Sequence, residues 1–321
     1  SLHPDWVSSV IVCSAADAAA PLLSGCYDGS LYLWDSTGTQ SAVLAPSGDE
    51  ASPVKAVAWL GARPVGACKD GTVSVWSTAG QRELLCLGHT AAVESVAASP
   101  AGDAIASGAW DKQLLLFRPQ AGDAASGAAI VPPTKRARGV KGLPAATAAP
   151  PGEVEASAQL GGHSDVISSL CWSTAALLYS ASWDGSVREW DASVGVQVAT
   201  LCSSGKAVLS LDVSLGSATV ATGHSDHVVR LWDARSRGGA PTGILPHKGW
   251  VSSVAWCGAR EHLLISGCFD GGVRLWDTRS PKVALHELQR HERTLCVGWD
   301  GVDQVLSGGT DGVLRLAALS A

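Results

Sequence analysis

One short sequence pattern occurs seven times along this chain. Each copy has a small residue, three further residues, an Asp and, six positions later, a Trp or its substitute. The repeat aspartates are separated by 42, 41, 73, 42, 44 and 41 residues, so a regular period is interrupted once. A fixed period of this length is typical of repeat architectures, in which each unit packs against the next. The repeat aspartates are Asp28, Asp70, Asp111, Asp184, Asp226, Asp270 and Asp311.

Each copy predicts two β-strands joined by a tight turn. In SGCFDGGVRLWD at 266–277, Asp-Gly supplies the chemistry of a hairpin turn, and alternating residues follow it. A third β-rich run precedes each copy, as in WVSSVAW at 250–256, and a fourth follows it, as in VALHEL at 283–288. Four strands per period are typical of a propeller blade and not of a helical solenoid. We therefore predict an all-β fold, a single seven-bladed β-propeller over residues 1–321.

The pattern resembles the WD-repeat family, over the whole chain apart from one insertion. The resemblance implies that a His, a Ser or Thr, the repeat Asp and the Trp form a buried hydrogen-bonded set in a blade. Blades two and five lack the His, blade three has Phe117 for Trp, and blade seven has Ala317. The complete sets are His3, Ser24, Asp28 and Trp34 in blade one, His163, Ser180, Asp184 and Trp190 in blade four, and His247, Ser266, Asp270 and Trp276 in blade six.

Ser, His and Asp are also the components of a nucleophilic triad, which would indicate an enzyme. Their repetition favours a structural role, because a catalytic triad would occur once and beside an oxyanion site. His224 and His227 are spaced as HxxH, but they flank a repeat turn without a further ligand nearby in sequence. No Walker-type or GxGxxG loop is present. We therefore predict no catalytic residue, no metal site and no cofactor.

Composition limits the partners of such a ring. Lys and Arg total 23 against 29 Asp and Glu, and this net charge of -6 argues against a dedicated nucleic-acid surface. No apolar run reaches the roughly 18 residues of a membrane span, so no membrane contact is expected. The nine Cys are scattered and form no CxxC pair, which indicates buried thiols in a reducing compartment and not a zinc site or a disulfide framework.

The single long interval identifies an insertion in blade three. Residues 118–157 are rich in Ala, Gly and Pro, which predicts a flexible loop between a third strand ending at Phe117 and a fourth strand near Gln159. The loop contains the densest basic cluster of the chain. This cluster indicates a nuclear-import signal or an rRNA contact, and the alternative is a solvated run of charges. Its residues are Lys135, Arg136, Arg138 and Lys141.

Strand order predicts a partner-binding face. Successive strands of a blade run in opposite directions, so the turn at the repeat Asp and the connection that enters a blade lie on the same face of the ring. Large aromatic residues occupy six of these positions, and such residues are typical binding hot spots. The alternative is that the rings only cover the tops of the blades. The six residues are Trp6, Tyr27, Trp110, Trp183, Trp250 and Phe269.

Blade seven is expected to lack its outer strand. Its third strand ends near Ala317 and four residues remain, too few for an ordinary outer strand. The spacing in blade six places the equivalent strand immediately before His3, where only Ser1 and Leu2 are present. We therefore predict three strands and an unpaired edge in blade seven.

Longer phrases resemble one group of WD-repeat proteins in particular. The order of LHPDWVSSV, SGAWDK with its long basic loop, GGHSDVISSLCW and a last blade from RHERTLCVGWD to LSGGTD is distinctive. It resembles the nucleolar ribosome-biogenesis family that joins pescadillo and the block-of-proliferation protein in the PeBoW complex. The N-terminal ubiquitin-like domain of that family, which engages the ATPase midasin, has no counterpart in these 321 residues.

The resemblance implies a non-catalytic interaction scaffold in large-subunit biogenesis and pre-rRNA processing. It implies direct binding to the propeller of the block-of-proliferation protein, with pescadillo and the large-subunit precursor as further partners. The nucleolus and nucleoplasm are the implied locations. The alternative from another class is a WD-repeat substrate adaptor of a ubiquitin ligase, because a propeller fold alone does not choose a function.

Overall fold

Seven small β-sheets form a closed ring. The computed structural model describes residues 2–13, 22–35, 37–46, 51–119, 151–214, 216–280, 282–301 and 303–319. These residues form 28 strands, and none of them forms a helix long and apolar enough to cross a bilayer. The innermost strands of successive sheets contact one another, and the last contacts the first. The prediction of a seven-bladed all-β propeller is confirmed.

In the first three blades, the strands run from the centre of the ring outwards in chain order, and each strand pairs antiparallel with the next. Blade one contains β1 (Val7–Val12), β2 (Leu22–Cys26), β3 (Leu31–Trp34) and β4 (Gln40–Leu44), blade two contains β5 (Val54–Leu60), β6 (Arg63–Cys68), β7 (Val73–Trp76) and β8 (Arg82–Leu87), and blade three contains β9 (Val93–Ala98), β10 (Ile105–Ala109), β11 (Leu114–Phe117) and, after β12 (Gly152–Glu155), β13 (Ala158–Leu160).

The remaining blades repeat this arrangement. Blade four contains β14 (Ile167–Trp172), β15 (Leu177–Ser182), β16 (Ser186–Asp191) and β17 (Val196–Ser203), blade five contains β18 (Val208–Ser214), β19 (Thr219–His224), β20 (Val228–Asp233) and β21 (Gly243–Pro246), blade six contains β22 (Val251–Trp256), β23 (Leu263–Cys268), β24 (Gly272–Asp277) and β25 (His286–Arg290), and blade seven contains β26 (Thr294–Asp300), β27 (Gln304–Gly309) and β28 (Arg315–Ala318).

The core lies between neighbouring blades. The second strands are almost wholly buried, since every residue of β2 and β10 is shielded from solvent. Their apolar side chains pack against the next blade, as do Leu23 and Val57 in the cluster between blades one and two. A sheet buried on both faces reads as a near-continuous run of small and apolar residues, which is the composition of these strands.

Side chains of the inner strands also join neighbouring blades by hydrogen bonds. The indole Nε1 of Trp172, Trp256 and Trp299 donates to an inner-strand carbonyl of the preceding blade at 3.0–3.3 Å. The hydroxyl oxygens of Ser9, Ser169 and Ser253 accept from a backbone N–H of the following blade at 3.1–3.2 Å. These contacts fix the spacing of the blades, and therefore the positions of the loops at both ends of the ring.

The C-terminal end of the insertion is not the structureless loop that we predicted. Strand β12 pairs in parallel with β8 of blade two, so that blade has five strands. Val154 is buried in the core of blades two and three, whereas Glu153 and Glu155 are exposed. The alternation Glu-Val-Glu gives this short segment one apolar face, which explains why it forms a strand. The expected strand near Gln159 is β13, which pairs with β11.

Blade seven has three strands among the described residues, as predicted. Leu2 forms an isolated antiparallel bridge with Val313, and the N–H of His3 donates to the carbonyl of Gly312 at 2.7 Å. The first described residues thus contact the turn of blade seven before the chain enters β1. This contact joins the N-terminal described residues to the last blade.

Candidate partner-binding face

Blade four contains a complete buried polar set. The indole Nε1 of Trp190 donates to Ser180 Oγ at 2.7 Å, Ser180 Oγ donates to His163 Nε2 at 2.7 Å, and His163 Nδ1 donates to Asp184 at 2.9 Å. Burial opposes ionisation of Asp184, but hydrogen bonds from His163, Ser186 and two backbone amides outweigh it and lower the pKa of this carboxyl. The set therefore ties the turn at the repeat Asp to the third strand of the blade.

The sets that we predicted in blades one and six are only partly formed. His3 Nε2 bonds to Ser24, and Trp34 donates to the same hydroxyl, but Asp28 accepts from the Tyr32 hydroxyl at 2.6 Å and not from His3. The Nδ1 atom of His3 consequently has no hydrogen-bond partner among the described residues. Competition for the carboxylate within its own hairpin explains this departure from the predicted set.

In blade six the competitor is an arginine. His247 Nε2 bonds to Ser266, which also accepts from Trp276, but Asp270 pairs with Arg274 at 2.6 Å. The freed Nδ1 of His247 lies 3.0 Å from the carbonyl of Leu245, to which it donates. Arg274 offers a formal charge and two donors, so it outcompetes a neutral imidazole for the carboxylate.

Three further blades contain histidines in related positions. His89 joins Asp111 and Ser107 in blade three, and His291 joins Asp311 and Ser307 in blade seven, with distances of 2.7–2.9 Å. In blade five His224 bonds to Thr222, which accepts from Trp232. This histidine lies on β19 and not on the entering connection, which is why the repeat pattern did not identify it.

Burial shows what the polar sets can do chemically. Ser180 is fully buried and its oxygen already accepts from an indole, so a substrate has no access to it. His224 is fully buried whereas His227 is exposed, so the HxxH pair does not converge on one ligand. Among the described residues no group of three His, Cys, Asp or Glu side chains is placed to hold a metal ion, and all nine Cys are free thiols. The sets hold the blades together.

The loops at one end of the ring bring the predicted partner-binding residues together. In every blade the N–H of the residue before the repeat Asp donates to the carbonyl of the residue that precedes the inner strand, at 2.9–3.1 Å. Both residues are thereby held at the same end of the central channel. We call this end the aromatic face, and define it by Trp6, Tyr27, Trp110, Trp183, Trp250 and Phe269 and the loops that hold them.

The six aromatic residues form three pairs. The ring centroids of Trp6 and Tyr27 are 5.1 Å apart, those of Trp110 and Trp183 are 5.2 Å apart, and those of Trp250 and Phe269 are 5.8 Å apart. One tryptophan in each pair is 43–48% exposed, and its partner is half-buried. Each pair therefore holds one large ring in a fixed position while a wide surface of it remains in solvent.

A polar network connects two of the pairs, and sequence reasoning missed it. Lys55 Nζ donates to the Tyr27 hydroxyl at 2.7 Å and forms an ion pair with Glu94 at 3.2 Å. Glu94 in turn accepts from Trp110 Nε1 at 2.8 Å. Lys55 and Glu94 stand at equivalent positions of β5 and β9, next to each other around the channel, and the repeat alignment could have identified them as neighbours.

A cavity of about 310 Å³ lies at the centre of the aromatic face, where the channel opens. Trp6, Tyr27, Trp183, Trp250 and Phe269 line it. Two leucines and several polar side chains, including the Lys55–Glu94 pair and Arg293, contribute the rest of its wall. Its size and its aromatic rings suit one or two large side chains of a partner. The basic cluster at Lys135, Arg136, Arg138 and Lys141 lies outside the described residues.

The fold is a ring of seven small β-sheets, and His, Ser or Thr, Asp and Trp recur at repeated positions in its blades. These features define a WD-repeat β-propeller. The family model of the WD domain, G-beta repeat, matches residues 1–35, 81–118, 155–191, 195–233 and 239–277. Blades two and seven have no match of their own. The resemblance to WD-repeat proteins is thus confirmed.

Similarity to curated proteins identifies a particular family within the WD-repeat class. A ribosome biogenesis protein WDR12 homolog of Nematostella vectensis is 34% identical over 98% of this chain and 76% of its own length. Homologs with the same name in Drosophila erecta and Drosophila virilis are 33% and 31% identical, over 98% of this chain and 72% of their own length. The chain belongs to the family of ribosome biogenesis protein WDR12 homologs.

Proposed function

We propose that this chain is a non-catalytic scaffold in ribosome biogenesis and binds a protein partner through the aromatic face. The relatives are named for ribosome biogenesis. The partner is the propeller of the block-of-proliferation protein, and pescadillo and the large-subunit precursor are further members of the assembly. The protein acts in the nucleolus and the nucleoplasm.

The arrangement of the aromatic rings is the observation that carries this proposal. Exposed large rings cost free energy in an isolated protein, and a contiguous apolar patch of this kind is typical of a binding site. Trp and Tyr dominate the binding energy of protein interfaces when they lie near the centre of the contact. Here each of the three pairs contributes at least one ring to the wall of one cavity, and the loops that hold the rings are fixed by backbone hydrogen bonds. The partner therefore meets a surface that needs little rearrangement.

Isothermal titration with the partner's propeller tests the proposal. The double variant Trp110→Ala with Trp183→Ala is expected to weaken binding by at least about 2 kcal/mol, the usual threshold of a hot spot. Leu285→Ala is the control, because Leu285 is as exposed as Trp250 but directly precedes the outer strand β25 of blade six, where its N–H donates to the carbonyl of Leu275. Unaltered affinity in a well-folded double variant would place the interface elsewhere on the ring. Co-purification with cullin components in place of pescadillo would favour the ubiquitin-ligase adaptor.

A further inference from the structure

Lysine is distributed unevenly over the surface. Six of the eight lysines lie in the described residues, and five of these six are on the aromatic face. Lys69 precedes a repeat Asp, Lys112 follows one, and Lys206 and Lys248 lie in connections that enter blades five and six. Lys282 lies in the loop after β24, at the opposite end of blade six. Although the net charge of the chain is -6, most of its described lysines therefore lie at one end of the ring.

The charges at the margin of the aromatic face differ from those at its centre. Lys55 and Glu94 neutralise each other at the cavity wall. Among the described residues of the same loops, five exposed cations form no ion pair, and there are three exposed carboxylates, Asp5, Asp70 and Glu292. The cations are Lys69, Lys112, Lys206, Lys248 and Arg293.

From this arrangement we infer that the aromatic face binds an acidic protein segment that inserts a large apolar side chain into the central cavity. The inference rests on the proposed function and specifies the chemistry of the partner. Carboxylates beside the apolar side chain would complement the lysines around the margin, and complementary charges increase both the association rate and the specificity of an interface. The cavity of about 310 Å³ supplies the site for the apolar anchor.

A protein segment fits these observations better than single-stranded RNA does. RNA carries a negative charge at every nucleotide, and proteins that hold it use a continuous basic groove beside their stacking rings. Here the cations are separated from one another around the ring, and exposed carboxylates lie beside two of them, Asp70 next to Lys69 and Glu292 next to Arg293. The indole N–H of Trp110 is also occupied by Glu94. A phosphate backbone crossing this face would meet those carboxylates.

The first experiment measures binding of the partner's propeller to a triple variant, Lys69→Gln, Lys206→Gln and Lys248→Gln. We expect about a tenfold loss of affinity at 50 mM NaCl, mainly in the association rate, and a much smaller loss at 500 mM NaCl, because salt screens exposed charges. Lys282→Gln is the matched control and is expected to bind as the wild type does. If the Trp110 and Trp183 double variant loses binding but the lysine variant does not, the proposed function survives and this inference is wrong.

A second experiment does not depend on the identity of the partner. A synthetic 15-residue peptide with a central Trp flanked by Asp is titrated into the protein, and the indole N–H resonances of Trp110 and Trp183 are followed by NMR. We expect these resonances to shift with the Asp peptide and to remain in place with the matching Asn peptide. Shifts caused by a 15-nucleotide oligouridylate and not by the Asp peptide would overturn the inference in favour of RNA.

Discussion

Arg274 and Asp270 form a two-point ion pair in blade six, with Nη to Oδ distances of 2.6 and 3.2 Å. Because of this pair, the carboxylate is turned away from His247, which donates to a backbone carbonyl. The residue four positions after the repeat Asp differs among the blades. Tyr32 captures Asp28 in blade one, whereas Leu115 in blade three leaves Asp111 to His89. An arginine at this position does not always divert the carboxylate, since His291 contacts Asp311 in blade seven although Arg315 pairs with the same carboxylate. The loss of the His–Asp contact in blade six is therefore a consequence of the particular geometry of the Arg274–Asp270 pair.

The first prediction reverses the competition in blade six. In Arg274→Leu, which copies the residue of blade three, Asp270 is expected to accept from His247 Nδ1. Burial now lowers the pKa of His247 to about 4. An adjacent carboxylate favours the charged imidazole, so the pKa of His247 should rise. NMR titration of the histidine ring measures this change.

Two observations would decide against this account. An unchanged pKa of His247 in Arg274→Leu would show that the ion pair does not control the polar set. The control is Arg279→Leu, since Arg279 is an exposed arginine of the same blade that pairs with Asp277 and not with the repeat Asp. A rise of the pKa of His247 in the control as well would indicate a general effect of charge.

The second prediction separates packing from hydrogen bonding in blade four. Trp190→Ala is expected to lower the free energy of unfolding by about 3–5 kcal/mol, as large-to-small core substitutions do. Trp190→Phe retains most of the apolar volume, as Phe117 does in blade three, but loses the donor to Ser180. Trp190→Phe should lower the free energy of unfolding by about 1–2 kcal/mol. Thermal and urea unfolding measure both, and a Trp190→Ala curve identical to that of the wild type would disprove the assigned packing.

Much of this architecture could be predicted because a repeated period constrains the fold strongly. Seven copies of one hairpin pattern identified every blade, including blades two and seven, which the family model does not match by themselves. The fourth strand of blade three was also expected in the correct place, at Gln159. Such features depend on local sequence, since turn chemistry and alternation act within one hairpin.

The errors arose where two groups compete for one carboxylate, or where neighbouring blades each contribute one partner of a contact. Asp28 and Asp270 have the correct identity and position for a complete set, but hydrogen bonding within their hairpins diverts them. Strand β12 pairs with the preceding blade, a contact that no repeat spacing encodes. The network of Lys55 and Glu94 depends on the placement of two blades side by side. These contacts can be identified only from the three-dimensional arrangement of the residues.

The third prediction concerns acid. Burial lowers the pKa of His3, His224 and His247 to about 4 in the folded protein, against 6.5 for an ordinary imidazole. Between these values the unfolded chain binds protons that the folded chain does not, so the free energy of unfolding is highest above pH 6.5 and falls as the pH decreases towards 4. If the unfolded chain binds three more protons than the folded chain, the free energy of unfolding changes by up to about 4 kcal/mol per pH unit.

Urea unfolding between pH 7 and pH 4.5 measures this slope. His247→Gln removes one of these three imidazoles and should reduce their joint contribution to the slope by about a third, apart from any uniform loss of stability. A slope that is unaffected by this substitution would exclude His247 as a source of the acid sensitivity.

The last prediction tests the attachment of β12 to blade two. Val154 places its side chain among buried residues of blades two and three, and burial of a valine contributes about 1.5–3 kcal/mol. In Val154→Asp, an unpaired charge would have to enter that core, so we expect β12 to detach from β8 while the ring remains folded. Hydrogen exchange should then show loss of amide protection in Gly152–Glu155 and unchanged protection in β13. Glu153→Gln is the control, because Glu153 is exposed on the same strand. If Val154→Asp instead lowers the melting temperature of the entire domain, β12 is an integral fifth strand on which blade two depends. Unchanged protection of Gly152–Glu155 would show that the parallel pairing with β8 does not require the buried valine.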